Sequence, residues 1–409
     1  MPRPISQCRV CGNAHLVEIL DLGDQALTGI FPSRRDEPIE RGPLQLVKCL
    51  GAESCGLVQL VCTYEPSTMY GANYGYRSGL NASMTQHLHR KVERIRSTAP
   101  LRNGDLIVDI GSNDGTTLSA YPTGTYDLVG VDPTGEKFRK FYAPQVELIA
   151  DFFSLDILRK KLGPRRARVV TSFSMFYDLE APLCFMSEVL NLLEDDGIWV
   201  FEQSYLPSMI RTNGYDTVCH EHLEYYSLST IKWMADKVGG KIIDVEFNDV
   251  NGGSFSVTMT RSEAPQPEMQ GLAEPLACEH RAGYEGLEPF KAFADRVSTS
   301  RNELLKFFDR AQTAGALVCG LGASTKGNVL LQYCGLTEKN IAFIGEVNAD
   351  KFGCFTPGSL IPIVPETELF ARKPDYTLVL PWHFRPFFEK NPRFNELKLV
   401  YPLPELEVG

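Results

Sequence analysis

His220, Glu221 and His222 stand together in GYDTVCHEHLEYYSL, residues 214–228, with Tyr225 and Tyr226 close behind. Histidine titrates near neutrality, and a neighbouring carboxylate makes a pair suited to general base work. The chain holds seven histidines, so two in one three-residue run mark the segment for chemistry. Their i,i+2 spacing keeps them off a common helix face, which excludes the zinc-binding H-E-x-x-H arrangement. The competing reading is a pair of satisfied structural histidines beside an aromatic core.

LIVDIGSNDGTTL, residues 106–118, and YDLVGVDPT, residues 126–134, carry a second kind of chemistry. An apolar run ends in a glycine loop, Gly111 to Gly115, that opens a helix, and the next strand ends in Asp132. This is the nucleotide-binding half of a doubly wound sheet. A pyrophosphate seated on the helix N-terminus would be repelled by the acids Asp109 and Asp114. S-adenosylmethionine has no phosphate and bears a sulfonium and an ammonium, so the charge favours it over NAD. Asp132 would take the ribose hydroxyls. Asn113 in the loop, and Asp151, Phe152 and Ser174 after the next strands, complete the expected cofactor set.

A second loop, Gly320-x-Gly322-Ala-Ser324-Thr-Lys326-Gly327, has the opposite electrostatics. It follows an apolar strand, enters a helix and suits phosphates, although it lacks the G-K-[ST] of a P-loop. A plain strand-to-helix turn would look the same. The N-terminal cysteines Cys8-x2-Cys11 and Cys49-x5-Cys55 supply four soft thiolates for a closed, structural tetrahedral zinc, with His15 and Cys62 as reserve ligands.

These groups need three units to position them. Residues 1–70 hold the cysteines and little periodicity. Residues 71–262 alternate in βα fashion and close on 241–249 and 254–261, an antiparallel pair joined at Asn251-Gly252-Gly253. Residues 263–409 add a linker, a long helix near 289–314 and a second α/β unit. The class expected is therefore α/β, with a Rossmann-like central domain between a zinc domain and a second Rossmann-like domain. The 409 residues, 43% hydrophobic, suffice for three cores. A net charge of −10 disfavours nucleic acid and anionic membranes as partners, and no apolar run reaches spanning length. Eleven cysteines, Cys184 and Cys319 among them inside apolar runs, fit a reducing, cytoplasmic setting better than a disulfide framework.

The ordered motifs CGLVQL, YGYRSG (74–79), VDIGSNDG, Tyr-Asp-Thr…HEH, NGGS (251–254), GASTKGN (322–328) and FTPGSLIPI (355–363) run through nearly the whole chain. In them the sequence resembles the sugar C-methyltransferases acting on nucleotide-linked 4-keto-deoxysugars, such as the C-3'-methyltransferase of the tetronitrose pathway. The resemblance implies a class I methyltransferase domain whose cleft is shared with a zinc domain and a C-terminal nucleotide-sugar domain. It implies His222 as the base that removes the proton next to the ketone, with Glu221 and His220 as companions and Tyr76 near the keto oxygen. Tyr74, Arg77, Tyr177, Cys219, Asn251, Gly322, Ser324, Lys326 and Asn328 would then meet a dTDP-, GDP- or CDP-linked keto-deoxysugar. A monomer is expected.

Two positions depart from that pattern. Cys219 replaces a tyrosine before HEH, and Ser174–Asp178 replaces a stretch that often carries a histidine. The mechanism implied is abstraction of a ketone-acidified C–H, an enolate held by a donor such as Tyr76, and attack on the methyl group. O- or N-methylation, a non-catalytic relative, and an NAD-dependent sugar dehydrogenase are the competing expectations.

Overall fold

The structure, a computed structural model, describes residues 2–70 and 76–409. Its centre is a seven-stranded sheet ordered Gly240–Asn248, Ser254–Arg261, Leu193–Ser204, Ala167–Phe173, Leu106–Ile110, Asp127–Val131, Val146–Ile149. The five strands from Leu193–Ser204 to Val146–Ile149 are parallel, and Ser254–Arg261 runs antiparallel to both of its neighbours. Leu106–Ile110 is buried at every position, as a strand covered on both faces must be. Chain reversal before Ser254–Arg261 needs left-handed backbone at Asn251 (φ 55°) and Gly253 (φ 119°). A Cβ on Gly253 would fall 2.4 Å from that of Ser208.

The N-terminal region is more regular than its sequence suggests. Leu16–Ala26 and Arg41–Cys49 form a long antiparallel pair, with Val58–Leu60 beside them. Register shifts between Glu18 and Leu20 and between Asp21 and Asp24 interrupt the in/out alternation that would have betrayed the first strand. The fourth strand of this sheet is Glu224–Tyr225, contributed by the segment that follows HEH. The C-terminal sheet runs Ile363–Pro365, Ile344–Glu346, Val318–Leu321, Tyr376–Val379, Leu399–Tyr401, Glu407–Val408, parallel except for its last strand.

The three units do not bury separate cores. One core joins Leu44, Leu46 and Leu60 of the N-terminal sheet to Tyr215, Val218 and Cys219, and on to Phe293, Val297 and Leu330. Another packs Cys8, Cys49 and Leu57 against Phe176, Trp199 and Tyr226 of the central unit. Residues 206–226 are thus the wedge on which all three units close.

Glu279, on the helix Ala273–Arg281, fastens that wedge. It is 3% exposed and accepts from Tyr205 Oη at 2.6 Å, from the amides of Leu228 (2.7 Å) and Ser229 (2.8 Å), and from Ser229 Oγ. A carboxylate at the start of the Leu228–Lys237 helix also meets the positive end of its dipole. Glu279→Ala strands these donors and is expected to cost about 3 kcal/mol, read as a lower midpoint in urea unfolding. An unchanged midpoint would refute the fastening role.

Candidate active site

His222 lies after the carboxyl end of the strand Leu193–Ser204, on the sheet edge where open α/β folds bind ligands. Its Nδ1 is 2.9 Å from the carbonyl oxygen of Thr217. A carbonyl only accepts, so Nδ1 carries the proton and Nε2 is left as a lone-pair acceptor. Burial, and then the Lys326 ammonium, push its pKa down to about 3, which keeps the imidazole neutral at physiological pH. The Tyr177 ring packs against it with centroids 4.2 Å apart.

His220 is placed differently. It is fully buried, with Nε2 3.3 Å from the Gly42 carbonyl, Nδ1 3.4 Å from Thr28 Oγ1, and the edge of Tyr64 at 4.8 Å. Where catalysis was expected of it, both nitrogens face partners in the N-terminal unit. Burial drives its pKa from 6.5 down to about 4. An unfolded chain takes up a proton below pH 6.5 and the folded one resists until about 4, so His220 stabilises fully above 6.5. That contribution, about 3 kcal/mol, is lost as pH falls through this window. Urea unfolding at a series of pH values should show the decline, and His220→Gln should flatten it; equal slopes would contradict the assignment.

Buried acids surround Cys219, three residues before His222. Glu221 is 9% exposed, its pKa is raised by burial, and its Oε2 has no hydrogen-bond partner. Asp178 is pushed well up by burial, with Glu221 adding to the rise, and its Oδ1 is likewise unpartnered. Cys219, 1% exposed, lies beneath them as a neutral thiol. Asp216 accepts from Trp382 Nε1 at 2.7 Å. Sequence reading assigned no role to Asp178, Asp216, Trp382 or His383. Asp216 was visible in the run leading to HEH, and Trp382-His383 in the turn after the apolar strand Tyr376–Val379.

The glycine loop is shaped as a cofactor crevice. Gly111 (φ 72°) and Gly115 (φ 77°) are left-handed, and Cβ atoms there would lie 2.8 Å from Met175 Cγ and 2.9 Å from Tyr142 Cδ1. Asp132 Oδ2 accepts from the Asn113 amide at 2.8 Å, while Oδ1 accepts from the Thr134 amide and hydroxyl at 2.6 Å. The other two acids do not face outward as expected. Asp109 is 1% exposed, accepts from Thr171 Oγ1 at 2.5 Å, and is raised by burial to about 7. Asp114 holds Thr116 and the Gly79 amide (3.0 Å), with Arg77 at 3.6 Å. Asn113 bonds the Ser78 amide (2.9 Å) and the Tyr76 carbonyl (3.2 Å), so Asn113 and Asp114 clamp residues 76–79 over the loop. Tyr76 is 49% exposed there; Tyr74 falls outside the described residues. Asp151, Phe152 and Ser174 are all exposed; Ser174, at φ 55°, ends its strand in left-handed backbone. A crevice of closely approached backbone beside the Asp132 carboxylate fits a sulfonium ligand better than a pyrophosphate.

In the C-terminal loop, Ser324 caps its helix by accepting from the Gly327 amide (3.0 Å). Gly322 is left-handed (φ 81°) against Pro381. Asn328, expected at the substrate, is fully buried and donates to the Thr28 carbonyl at 2.7 Å, joining the outer units instead. Lys326 Nζ donates to the Asn251 carbonyl at 2.8 Å.

The Sγ atoms of Cys8, Cys11, Cys49 and Cys55 lie within 4.8 Å of one another, with 3.5 Å between Cys8 and Cys55 and between Cys11 and Cys49. Tetrahedral zinc at about 2.3 Å from each sulfur separates thiolates by about 3.8 Å, so the set fits. The Cys55 hydrogen bond lowers Cys8 to about 5, while burial and the charge of Cys8 push Cys49 up to about 12. Four thiolates so close need a cation between them. Neither reserve ligand joins the cluster: His15 is exposed, and Cys62 lies in the strand Cys62–Thr63. All eleven cysteines are free; Cys319 is buried as read, but Cys184 is exposed.

Three family models match in succession: a zinc binding domain over residues 8–70, a methyltransferase domain over 81–245, and a C-methyltransferase C-terminal domain over 249–404. C-methyltransferase NovU of Streptomyces niveus is 31% identical over 417 residues, covering 99% of this chain and 97% of its own. Among solved structures, the CcbJ methyltransferase of Streptomyces caelestis is 14% identical over 43% of this chain and 90% of its own, with a TM-score of 0.35. The CurJ carbon methyltransferase is 12% identical over 44% and 55%, with a TM-score of 0.34. No helix among the described residues is long and apolar enough to cross a membrane.

Proposed function

Because this chain belongs to the S-adenosylmethionine-dependent C-methyltransferases, we propose that it methylates the carbon next to the ketone, C3, of a nucleotide-linked 4-keto-6-deoxysugar in branched-sugar biosynthesis. The observation that carries this reading is the Nδ1–H bond from His222 to Thr217, which presents a neutral Nε2 at the ligand edge of the sheet. The chain carries a structural zinc on Cys8, Cys11, Cys49 and Cys55.

The reaction divides among the residues as follows. His222 Nε2 takes the proton from the sugar carbon, and the electron pair moves onto the ketone oxygen. Tyr76, on the segment clamped above the cofactor loop, donates to that developing oxyanion. Glu221, next to His222 in the chain and held toward its neutral form by burial, is the companion of the base. His220 acts at a distance, anchoring HEH to the N-terminal sheet. Gly111, Gly115, Asp132, Asp151, Phe152 and Ser174 would hold S-adenosylmethionine, which would supply the electrophilic methyl group to the enolate carbon. Arg77, Tyr177 and Cys219 line the sugar side, while Asn251, Gly322 and Ser324 face the nucleotide.

Domains of residues 1–70, 71–262 and 263–409, a monomeric state and a cytoplasmic setting belong to the same reading. The test is incubation with S-adenosylmethionine and dTDP-, GDP- and CDP-linked 4-keto-6-deoxysugars, with products read by mass spectrometry and proton NMR. A new carbon-bound methyl with loss of a ring proton is expected. A methyl on oxygen or nitrogen, or no gain on any keto-sugar, would overturn the enolate route.

A further inference from the structure

The strand Leu16–Ala26 leads into Thr28 and Gly29, and this short stretch meets the HEH segment from the N-terminal side. The Thr28 hydroxyl lies 3.4 Å from His220 Nδ1. Gly29, half-buried, faces Glu221: a Cβ there would overlap the carboxyl at Oε1 and lie 3.3 Å from Cδ. Only a residue without a side chain leaves room for the acid in this position. The other carboxyl oxygen of Glu221, Oε2, is buried without a hydrogen-bond partner.

The C-terminal unit seats this stretch. Gln332 spans Ala26, its Oε1 accepting from the amide at 2.8 Å and its Nε2 donating to the carbonyl at 3.1 Å. Asn328 Nδ2 donates to the Thr28 carbonyl at 2.7 Å. Thr325 Oγ1 would lie 3.9 Å from a Cβ on Gly29. Residues 325, 328 and 332 share one face of the helix Thr325–Tyr333, so a single helix face lays residues 26–29 against Glu221. The bonds from Gln332 and Asn328 go to backbone atoms, and they therefore fix where the Gly29 Cα stands.

We propose that Gly29 is a positioning residue for Glu221: its bare Cα lets the N-terminal unit close on the carboxyl at Oε1 and leaves Oε2 for the sugar. This rests on the reading of HEH as the catalytic segment. A buried oxygen without a partner is costly, and an acid free to rotate would turn to satisfy it. Contact with the Gly29 Cα on one side is what stops that rotation, so the carboxyl meets the substrate already oriented. The helix that seats Gly29 starts at the Ser324 loop. The sites read for the nucleotide and for proton transfer are thereby joined through one glycine of the zinc-bearing unit.

The experiment is a cycle of wild type, Gly29→Ala, Glu221→Ala and the double variant, with zinc content checked in each. Proton abstraction is read separately from methyl transfer, as deuterium exchange next to the ketone in D2O with S-adenosylhomocysteine in place of the methyl donor. For Gly29→Ala, exchange and kcat should fall together by about 100-fold while KM for the nucleotide sugar stays within about threefold. Glu221→Ala makes room for the added methyl, so in that background the same substitution should change neither rate by more than about twofold. Losses that multiply across the cycle would overturn the proposal, as would a Gly29→Ala enzyme with wild-type kcat. A rise in KM alone would also overturn it and place Gly29 at the nucleotide. The urea midpoint needs no substrate: Gly29→Ala should lower it in the wild-type background and leave it unchanged in Glu221→Ala. Should Gly29→Ala alone not fold, the double variant must fold, and failure of both would count against the proposal. Midpoint coupling in a protein that methylates no keto-sugar would strike the sugar reading and keep Gly29 as the seat of Glu221. Additive midpoints would overturn the proposal whatever the substrate.

Discussion

His222→Ala lowers methyl transfer by about three orders of magnitude and leaves S-adenosylmethionine affinity within a factor of about two. A positioned general base is worth about 10²–10⁴ in rate. No described histidine can replace it: His220 faces Thr28 and Gly42, and His383 is held neutral by burial. The cofactor crevice, Gly111–Gly115 and Asp132, is built from other strands and should be untouched. The discriminating measurement is deuterium exchange next to the ketone, which should fall as far as methyl transfer does. Exchange retained in a variant that no longer methylates would mean that His222 orients the substrate and another group takes the proton. An active His222→Ala would remove the assignment altogether. Because the imidazole is already neutral, the wild-type rate should show no acid limb near pH 6.5.

Zinc removal is the second large effect, and it should reach the base without any contact between metal and substrate. Arg9 sits between Cys8 and Cys11. Its guanidinium donates to the carbonyls of Leu60 (2.7 Å) and Cys62 (3.1 Å) and to Thr63 Oγ1 (2.8 Å), and its Nε lies 3.8 Å from the buried carboxyl of Glu224. Glu224 and Tyr225 pair with Gln59 and Val58, two residues past His222. Opening the cysteine cluster therefore loosens the strand that ends the HEH segment. Cys49→Ser, or chelation, should release one zinc per chain and reduce kcat at least tenfold. It should also lower the unfolding midpoint, since structural zinc supplies folding free energy directly, up to about 10 kcal/mol in small domains. S-adenosylmethionine binding by the central sheet should persist. If zinc-free protein keeps full activity, the path through Arg9 and Glu224 carries no weight.

The sequence by itself determined what is local. Strand, glycine loop and terminal acid between Leu106 and Asp132 are consecutive in the chain, and their apolar runs and glycines have one reading. The antiparallel pair at 240–261, the helix at 288–313 and the four-cysteine cluster were legible for the same reason. The tertiary structure alone decided which of two adjacent histidines keeps a free nitrogen. His220 and His222 are equivalent in type and neighbourhood along the chain, and only packing sends one against Gly42 and Thr28 and the other to Thr217. Packing also turned Asp109 and Asp114 inward, moved Asn328 from substrate to domain joint, and brought Lys326 to Asn251 across 75 residues of sequence. Periodicity records which face of an element is buried, but not which partner meets it. Hydrogen-bond partners and fields from distant segments are fixed only when the three units close on residues 206–226.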